Sequence, residues 1–316
     1  MTIGLLVNPA AGRGAGRRAG ERVRAEVRAG GHTVLDLSGG DLATATARVR
    51  ANADELDALV VVGGDGLVHA AVQAVADTGV ALGIVAAGTG NDIARGLDLP
   101  LGAPERGTAL VLEALAAGRV RELDAVRVGS DDPGVGPFWY VSALASGVDA
   151  LVNERANRWR FPRGPARYTL AAVRELVTVR PLPLRLVLDP GPHEHVVEQD
   201  VLLVALANTR SYGGGLTMAP GADPTDGVLQ VVVVDALSGP AALRVLPRVR
   251  SGGHLNHPAV HVHRARRVRL EPGEDTAVLR RGERPARRPL PHADGEPLAP
   301  LPLTCEVVRG ALRVLA

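Results

Sequence analysis

Three glycine-rich loops within the first 92 residues each stand between a short apolar run and a helical stretch, a rhythm that restricts this part of the chain to a parallel α/β sheet. Strand-type runs fall at 3–7, 33–37, 56–62 and 80–85, and helical periodicity at 17–29, 41–53 and 67–76. In a sheet of this kind the loops leaving the carboxyl ends of the strands gather on one edge, where ligands bind. The loops beginning at Asn8, Gly63 and Ala86 are expected to share that edge.

A further helix is expected over 104–117, and then the pattern changes. From residue 120 onward, strand-type runs at 121–128, 138–144, 184–188, 200–207, 228–234 and 260–270 are separated by Pro/Gly turns and interrupted by helical stretches, notably at 165–179 and 239–249. The chain has 316 residues, more than the roughly 100–200 that one domain usually spans. Two domains follow: an α/β unit over 1–124 and a β-rich unit over 125–316. The segment 271–291, with five arginines among several prolines, reads as a surface loop.

Composition removes several mechanisms. All 36 residues counted as Lys or Arg are arginine, so there is no Walker lysine, no protein-kinase strand lysine and no Schiff-base lysine. Phosphate charge must be met by Arg, backbone N–H groups or a metal. Aromatic residues make up 2% of the chain, so the core is aliphatic and nucleic acid, whose bases stack on aromatic rings, is not an expected partner. Cys305 is the single cysteine; it excludes an intramolecular disulfide and makes the cytoplasm the expected location. The N-terminal run has no basic region before it, and no uncharged run approaches the roughly 18 residues of a membrane span. Any contact with lipid is therefore expected to be peripheral.

The loops carry the chemistry. In Asn8-Pro9-Ala10-Ala11-Gly12-Arg13-Gly14-Ala15-Gly16 the glycines allow close approach to a phosphate, and the helix that follows offers free N–H groups; Arg13 and Arg17 are candidate helpers. In Gly63-Gly64-Asp65-Gly66 a carboxylate sits between glycines at a helix start, either as a cap or as a group holding a metal or sugar hydroxyl. In Gly88-Thr89-Gly90-Asn91-Asp92, Thr89 can donate to a phosphate oxygen, while Asn91 and Asp92 can cap the helix or hold a ribose or metal-bound water.

These loops, together with Ser146-Gly147-Val148-Asp149-Ala150, Asn208, Tyr212-Gly213-Gly214-Gly215, Pro220, Ala222, Asp226-Gly227 and Asp294-Gly295-Glu296, resemble the diacylglycerol kinase catalytic-domain superfamily of lipid kinases over nearly the whole chain. The resemblance implies a nucleotide-binding α/β domain, a β-sandwich-like second domain and a last ten or so residues returning to the first. It implies ATP held by Asn8, Pro9, Ala10, Ala11, Gly12, Ser38, Gly63, Gly64, Asp65, Gly66, Leu67, Val68, His69, Gly88, Thr89, Asn91 and Asp92. A structural Mg²⁺ is implied at Asp226, with Asp223 and Val228 as neighbours, and Glu296 is implied as general base with Asp294 beside it. Asp65 completes the catalytic set. The implied acceptor is a lipid, first diacylglycerol, met at a membrane surface; a homodimer is left open. Family members often carry Thr and an acidic residue where this chain has Leu67 and Ala70.

Two other readings stay open. Gly14, Gly16 and Ala19 fit a dinucleotide-binding loop, with Asp36 at the spacing of a ribose-binding acid, which suits an NAD(P)-dependent oxidoreductase. Alternatively, the Leu67 and Ala70 departures suit a non-catalytic nucleotide or lipid sensor of the same fold.

Overall fold

The computed structural model describes residues 1–159, 161, 165–178, 181–273 and 289–316. The first part runs β1 (Thr2–Val7), α1 (Ala15–Ala29), β2 (Thr33–Asp36), α2 (Leu42–Asn52), β3 (Ala58–Gly63), α3 (Asp65–Val75), β4 (Ala81–Ala86), α4 (Asp92–Gly96) and α5 (Pro104–Ala117). The strands pair in parallel in the order β2-β1-β3-β4. Every residue of β3 and β4 is buried, as expected where helices cover both faces of a parallel sheet. Helices α2 and α3 pack on one face and α1 and α5 on the other.

The second part comprises β5 (Val120–Ser130), β6 (Phe138–Tyr140), β7 (Ala143–Gly147), α6 (Val148–Arg158), α7 (Pro165–Thr178), β8 (Leu182–Leu188), β9 (His195–Ala207), β10 (Leu229–Asp235), α8 (Gly239–Val245), β11 (Val260–Ala265), β12 (Arg267–Pro272), β13 (His292–Ala293), β14 (Glu296–Pro297) and β15 (Leu303–Leu315). Its strands are antiparallel, and their facing sides form an aliphatic core. Strand β15 pairs with β12 at its start, runs antiparallel to β5, and ends in parallel register with β4, Arg313 opposite Ala81 and Val314 opposite Leu82. All fifteen strands thereby belong to one hydrogen-bonded network.

Several elements depart from the sequence pattern for identifiable reasons. The run 138–144 is two strands, because the chain turns where the Val141 and Ser142 N–H groups donate to Asp294 at 2.9 and 2.8 Å. Gly147 ends β7 at φ +107, where a methyl group would come within 2.5 Å of the Leu202 carbonyl oxygen, and the chain enters α6, a helix the sequence reading did not anticipate. The run 260–270 breaks at Arg266, where Asp189 accepts from the Arg266 and Arg267 N–H groups at 2.8 and 2.9 Å. The helix expected over 239–249 is α-helical only to Val245 and tightens into a 3₁₀ turn, Leu246–Ser251, at Pro247, which cannot donate a helical hydrogen bond. Residues 274–288, most of the Arg/Pro-rich segment, lie outside the described residues. Among the described residues no helix is long and apolar enough to cross a membrane.

Asp124, 3% exposed, fastens the second part to the seam. Its carboxylate accepts from the Gly227 N–H at 2.7 Å and from the Gly310 N–H at 3.0 Å, and its own N–H donates to the Pro224 carbonyl at 2.7 Å. Gly310 sits at φ +63 in the irregular stretch of β15 between Val308 and Leu312. Truncation would strip acceptors from two enclosed N–H groups. Asp124→Ala is expected to lower stability by about 2–4 kcal/mol in urea unfolding, whereas Asp124→Asn should recover part of that loss through its one amide oxygen; an unchanged midpoint in the alanine variant would remove this role.

Candidate functional site: a glycine-loop edge beside an apolar cavity

The three glycine loops meet backbone to backbone at the carboxyl edge of the parallel sheet. Asn8 donates its N–H to Val62 O at 2.9 Å, and its side-chain oxygen accepts from the Ala10 N–H at 3.1 Å, shaping the turn before a short 3₁₀ stretch, Ala11–Gly14. Asn8, Pro9, Ala10 and Gly12 are exposed and form an open rim. Gly12 adopts φ +56 with only 2.9 Å between a would-be methyl group and the Ala87 carbonyl oxygen. A methyl group on Gly88 would lie 2.5 Å from Gly64 Cα, so only glycine allows these two loops to touch. Ala87 also donates its N–H to Gly63 O at 2.8 Å.

Asp65 opens α3 and accepts from the Ile93 N–H at 3.1 Å, capping α4. Burial pushes the Asp65 carboxyl above the usual carboxylate range, and the neighbouring Asp92 and Asp294 charges push the same way, against the backbone donors from Ile93 and Asn91. Asn91, at φ +53, closes on Gly88 through two 3.0 Å hydrogen bonds. Asp92 reaches the second half of the chain, accepting from the Gly214 and Gly215 N–H groups at 2.7 and 3.0 Å.

The segment Asp294-Gly295-Glu296 arrives from that second half. Ala293 pairs with Glu296 across a two-residue hairpin whose central residues, Asp294 and Gly295, sit at φ +50 and +88, the left-handed backbone that such turns require. Asp294, with a fully buried side chain, holds the hairpin on Val141 and Ser142 and lies 3.7 Å from His69 Nδ1. The half-buried Glu296 is thereby brought to the Gly63–Gly66 loop, its Oε1 3.6 Å from a methyl group placed on Gly66. Its carboxylate makes no hydrogen bond or ion pair among the described residues.

A cavity of about 910 Å³ opens beside this carboxylate-bearing edge. Asp65, Thr89, Asp92 and Glu296 contribute to its wall, and the rest is mainly apolar, including Val148, Val152, Ala172, Leu176, Leu202, Met218 and Val249. Asp149 faces the same space and accepts from Asn153 at 3.3 Å. Burial raises its carboxyl to about 6, although the cavity leaves part of the residue accessible. Burial, then the charges of Asp149 and Asp92, also raises the neighbouring Tyr212 hydroxyl well above its usual value.

The candidate residues therefore fall into distinct positions. The rim 8–12, Gly63, Gly64, Gly66, Gly88, Thr89, Asp65, Asp92 and Glu296 come together. Ser38 stands on the same edge, but its hydroxyl is engaged by the Val7 N–H at 3.0 Å. Leu67 folds over Gly63, Val68 is 3% exposed within the core, and His69, 6% exposed, faces Gln73 and Asp294. Those three contribute backbone rather than side chains to the edge. Arg17 is exposed on α1; the side chain of Arg13 lies outside the described residues.

The residues expected to hold a structural Mg²⁺ do not form a cage. One Asp226 oxygen accepts from the Val228 N–H at 3.0 Å, the other pairs with the Arg264 guanidinium, and Asp223 is turned to the Thr225 hydroxyl at 2.7 Å. Among the described residues no three His, Cys, Asp or Glu side chains converge as metal ligands. The dinucleotide reading loses its acid in the same way: Asp36 accepts from the Ser38 N–H at 3.1 Å and pairs with Arg24, and Gly16 packs against the Asn8 carbonyl instead of facing a ligand.

A phosphate-type loop edge on a parallel sheet, completed by a carboxylate from a β-rich half and opening on an apolar cavity, defines a two-domain kinase-like architecture. Residues 2–128 match the model of the diacylglycerol kinase catalytic domain, and residues 142–316 that of the YegS C-terminal NAD kinase beta sandwich-like domain. A Mycobacterium tuberculosis protein named diacylglycerol kinase is 39% identical over 98% of this chain and 93% of its own length. A Bacillus subtilis diacylglycerol kinase is 24% identical over 72% of each chain. The crystal structure of a diacylglycerol kinase from Bacillus anthracis str. Sterne superposes with a TM-score of 0.73 at 21% identity, covering 99% of this chain and 96% of that one. The chain belongs to the diacylglycerol kinase family of lipid kinases.

Sequence reasoning did not single out Asp124, nor the link from Asp92 to the Gly213–Gly215 loop. Asp124 had a signal, an acid within the apolar run at 123–126; the partner of Asp92, more than 120 residues away, had none. Asp149 was read only as part of a motif, and its place in the cavity emerges from α6. Its carboxyl stays protonated in the folded chain while the unfolded chain ionises, so stability falls as pH rises from about 4 to about 6. Asp149→Asn removes that cost. Its gain in urea stability over the parent is expected to be near zero at about pH 4 and to reach a plateau of at most about 3 kcal/mol above about pH 6, less where water fills the cavity; a gain independent of pH would exclude this cause.

Proposed function

We propose that the chain is an ATP-dependent lipid kinase that transfers the γ-phosphoryl group to the hydroxyl of diacylglycerol, giving phosphatidic acid. The names of its relatives support this reading. The observation that carries it is the place of Glu296, an unpaired carboxylate at the edge shared by the glycine loops and the apolar cavity. Triphosphate oxygens would lie along the exposed rim 8–12 and the backbone of 63–67 and 88–89. There, N–H groups at the start of α3 and glycine backbone supply donors in a chain without lysine. Glu296 would take the proton from the acceptor hydroxyl as the bond to phosphorus forms, while Asp294 keeps the hairpin in place. The acyl chains would occupy the apolar part of the cavity.

Mg²⁺ would arrive with the nucleotide. The crowding of Asp65 against Asp92 and Asp294 suits a cation nearby, and one or two carboxylates plus phosphate oxygens are the usual set for Mg²⁺. When bound, it neutralises charge on the phosphates. Ala70 is 4% exposed within α3, and its carbonyl accepts from the Thr46 hydroxyl of α2 at 3.5 Å.

Mass spectrometry of the products formed from ATP and a total lipid extract is expected to show phosphatidic acid as the dominant new species. A lipid extract left unphosphorylated would overturn the assignment. Glu296→Gln is expected to keep ATP affinity, measured by calorimetry, and to lower kcat by roughly 10²-fold or more; an unaffected rate would remove Glu296 as base.

A further inference from the structure

Helix α3 is buried along most of its length, yet Asp65, His69 and Gln73 recur on it at intervals of four and so share one face. Asp65 stands at the glycine-loop edge. Further along, the same face meets the second part of the chain twice. His69 has its Nδ1 3.7 Å from Asp294 Oδ2. Gln73 closes on the backbone of β6, its Nε2 donating to the Trp139 carbonyl at 2.5 Å and its amide oxygen accepting from the Trp139 N–H at 2.9 Å. Both contacts converge on one turn, since Asp294 accepts from Val141 and Ser142, which follow Trp139 and Tyr140 in the chain.

The bonds made by Gln73 decide where the hydrogen sits on the His69 ring. A backbone N–H only donates and a carbonyl only accepts, so the paired contacts with Trp139 fix which end of the Gln73 amide is nitrogen. That nitrogen lies 3.3 Å from His69 Nε2 and can only donate. Nε2 is therefore the accepting nitrogen, and Nδ1 carries the hydrogen of the neutral ring. His69 is 6% exposed, and its Nδ1 has no hydrogen-bond partner among the described residues. What it faces is the carboxylate of Asp294, a fully buried side chain. Away from water, an N–H dipole is drawn to a carboxylate beyond hydrogen-bond length, because little solvent screens the pair. A buried N–H without a closer partner costs roughly 1–3 kcal/mol, so a histidine that served packing alone would be unfavourable here.

We propose that His69 is a positioning residue of the phosphoryl-transfer site: its Nδ1–H, set against Asp294, holds the hairpin that carries Glu296 in place relative to the helix whose first turn forms the glycine-loop edge. Its effect on catalysis rests on the kinase reading. His69 does not line the cavity, so it acts through Asp294 and not on the acceptor. One helix then carries both the backbone donors for phosphate and the placement of the base. Without the ring, Asp294 keeps Val141 and Ser142 but loses its tie to α3, and Glu296, next but one in the chain, shifts with it.

Two amide variants of the full chain separate the two ring nitrogens. His69→Asn can set an N–H where Nδ1 lies but does not reach Gln73; His69→Gln can set an oxygen near the place of Nε2, which answers Gln73 and offers Asp294 nothing. With a short-chain, water-dispersed diacylglycerol, His69→Gln is expected to lower kcat roughly ten- to hundredfold at an unchanged KM for ATP, and His69→Asn to recover most of the parent rate. Hydrogen exchange read by mass spectrometry is expected to quicken in His69→Gln at residues 141–142 and 292–297, with β3 and β4 still protected, and to stay near the parent in His69→Asn. Nitrogen-15 NMR of the parent ring should show Nδ1 protonated and Nε2 bare, a reading that does not depend on any variant folding. A Gln variant as active as the Asn variant, a loss that falls on KM for ATP, or a neutral ring protonated on Nε2 would overturn the proposal. Exchange and NMR need no turnover: a parent that phosphorylates nothing would sink the kinase reading, whereas parent-like exchange in His69→Gln would sink the coupling of His69 to Asp294.

Discussion

The relative position of everything that could do chemistry in this chain depends on the backbone hydrogen bonds of β15. This strand pairs in turn with β12, β5 and β4, so the antiparallel half and the parallel sheet share one ladder instead of touching through side chains alone. A slip by one residue in such a ladder would turn each side chain to the opposite face, which neither buried face could accept. The irregularity between Val308 and Leu312 is where the strand passes from one half to the other, and Asp124 holds that point to the 223–227 turn. The hairpin that carries Glu296 hangs from β7 in the same network. Its approach to the glycine loops is therefore set by strand register, and Asp92, bonded to Gly214 and Gly215, closes the other side of the same gap.

Charge is managed at this edge without lysine, and that explains why glycine is needed there. A lysine reaches a phosphate across several ångströms on a flexible stem, whereas a backbone N–H must lie within about 3 Å of the oxygen it donates to. Loops that serve phosphates through their backbone must approach closely, and here they approach one another as well, with Gly64 against Gly88 and Gly12 against Ala87. The same crowding brings Asp65, Asp92 and Asp294 near each other. Two of the three are satisfied by N–H groups from distant parts of the chain, Asp92 by the Gly213–Gly215 loop and Asp294 by residues 141–142. They act first as clasps between the halves. Glu296 has no such donor among the described residues.

What the sequence disclosed follows the range of the interactions involved. The parallel strands and their loops were legible because short buried runs, helical periodicity and glycine turns are local signals; the carboxyl edge then followed from topology. Glycine pairs at 63–64 and at 88–90 were legible as phosphate-type turns, but their mutual contact was not, since it depends on how β3 and β4 align. His69 and Val68 lie close in sequence to Asp65, yet the helix turns them into the core and toward β6, which only the packing of α3 decides. The turn at 223–228 was marked as a metal site only through the family resemblance, and the pairing of Asp226 with Arg264, almost 40 residues later, has no signal in the turn itself. Helix α6 was hidden because Gly147, named only within a motif, is the switch from strand to helix.

The cavity itself sets a requirement on how the chain would meet the proposed acceptor. Moving one CH₂ group of an acyl chain into water costs about 0.8 kcal/mol, so the two chains of a diacylglycerol, about sixteen carbons each, would cost on the order of 25 kcal/mol if exposed in transit. A barrier of that size would hold transfer through water to rates far below ordinary turnover. An enzyme acting on diacylglycerol must therefore keep its cavity continuous with the membrane while the acceptor enters. Among the described residues, α7 carries apolar side chains both on the cavity wall and on the outside. A helix of that kind is unfavourable in water and becomes favourable only where its second face is also covered.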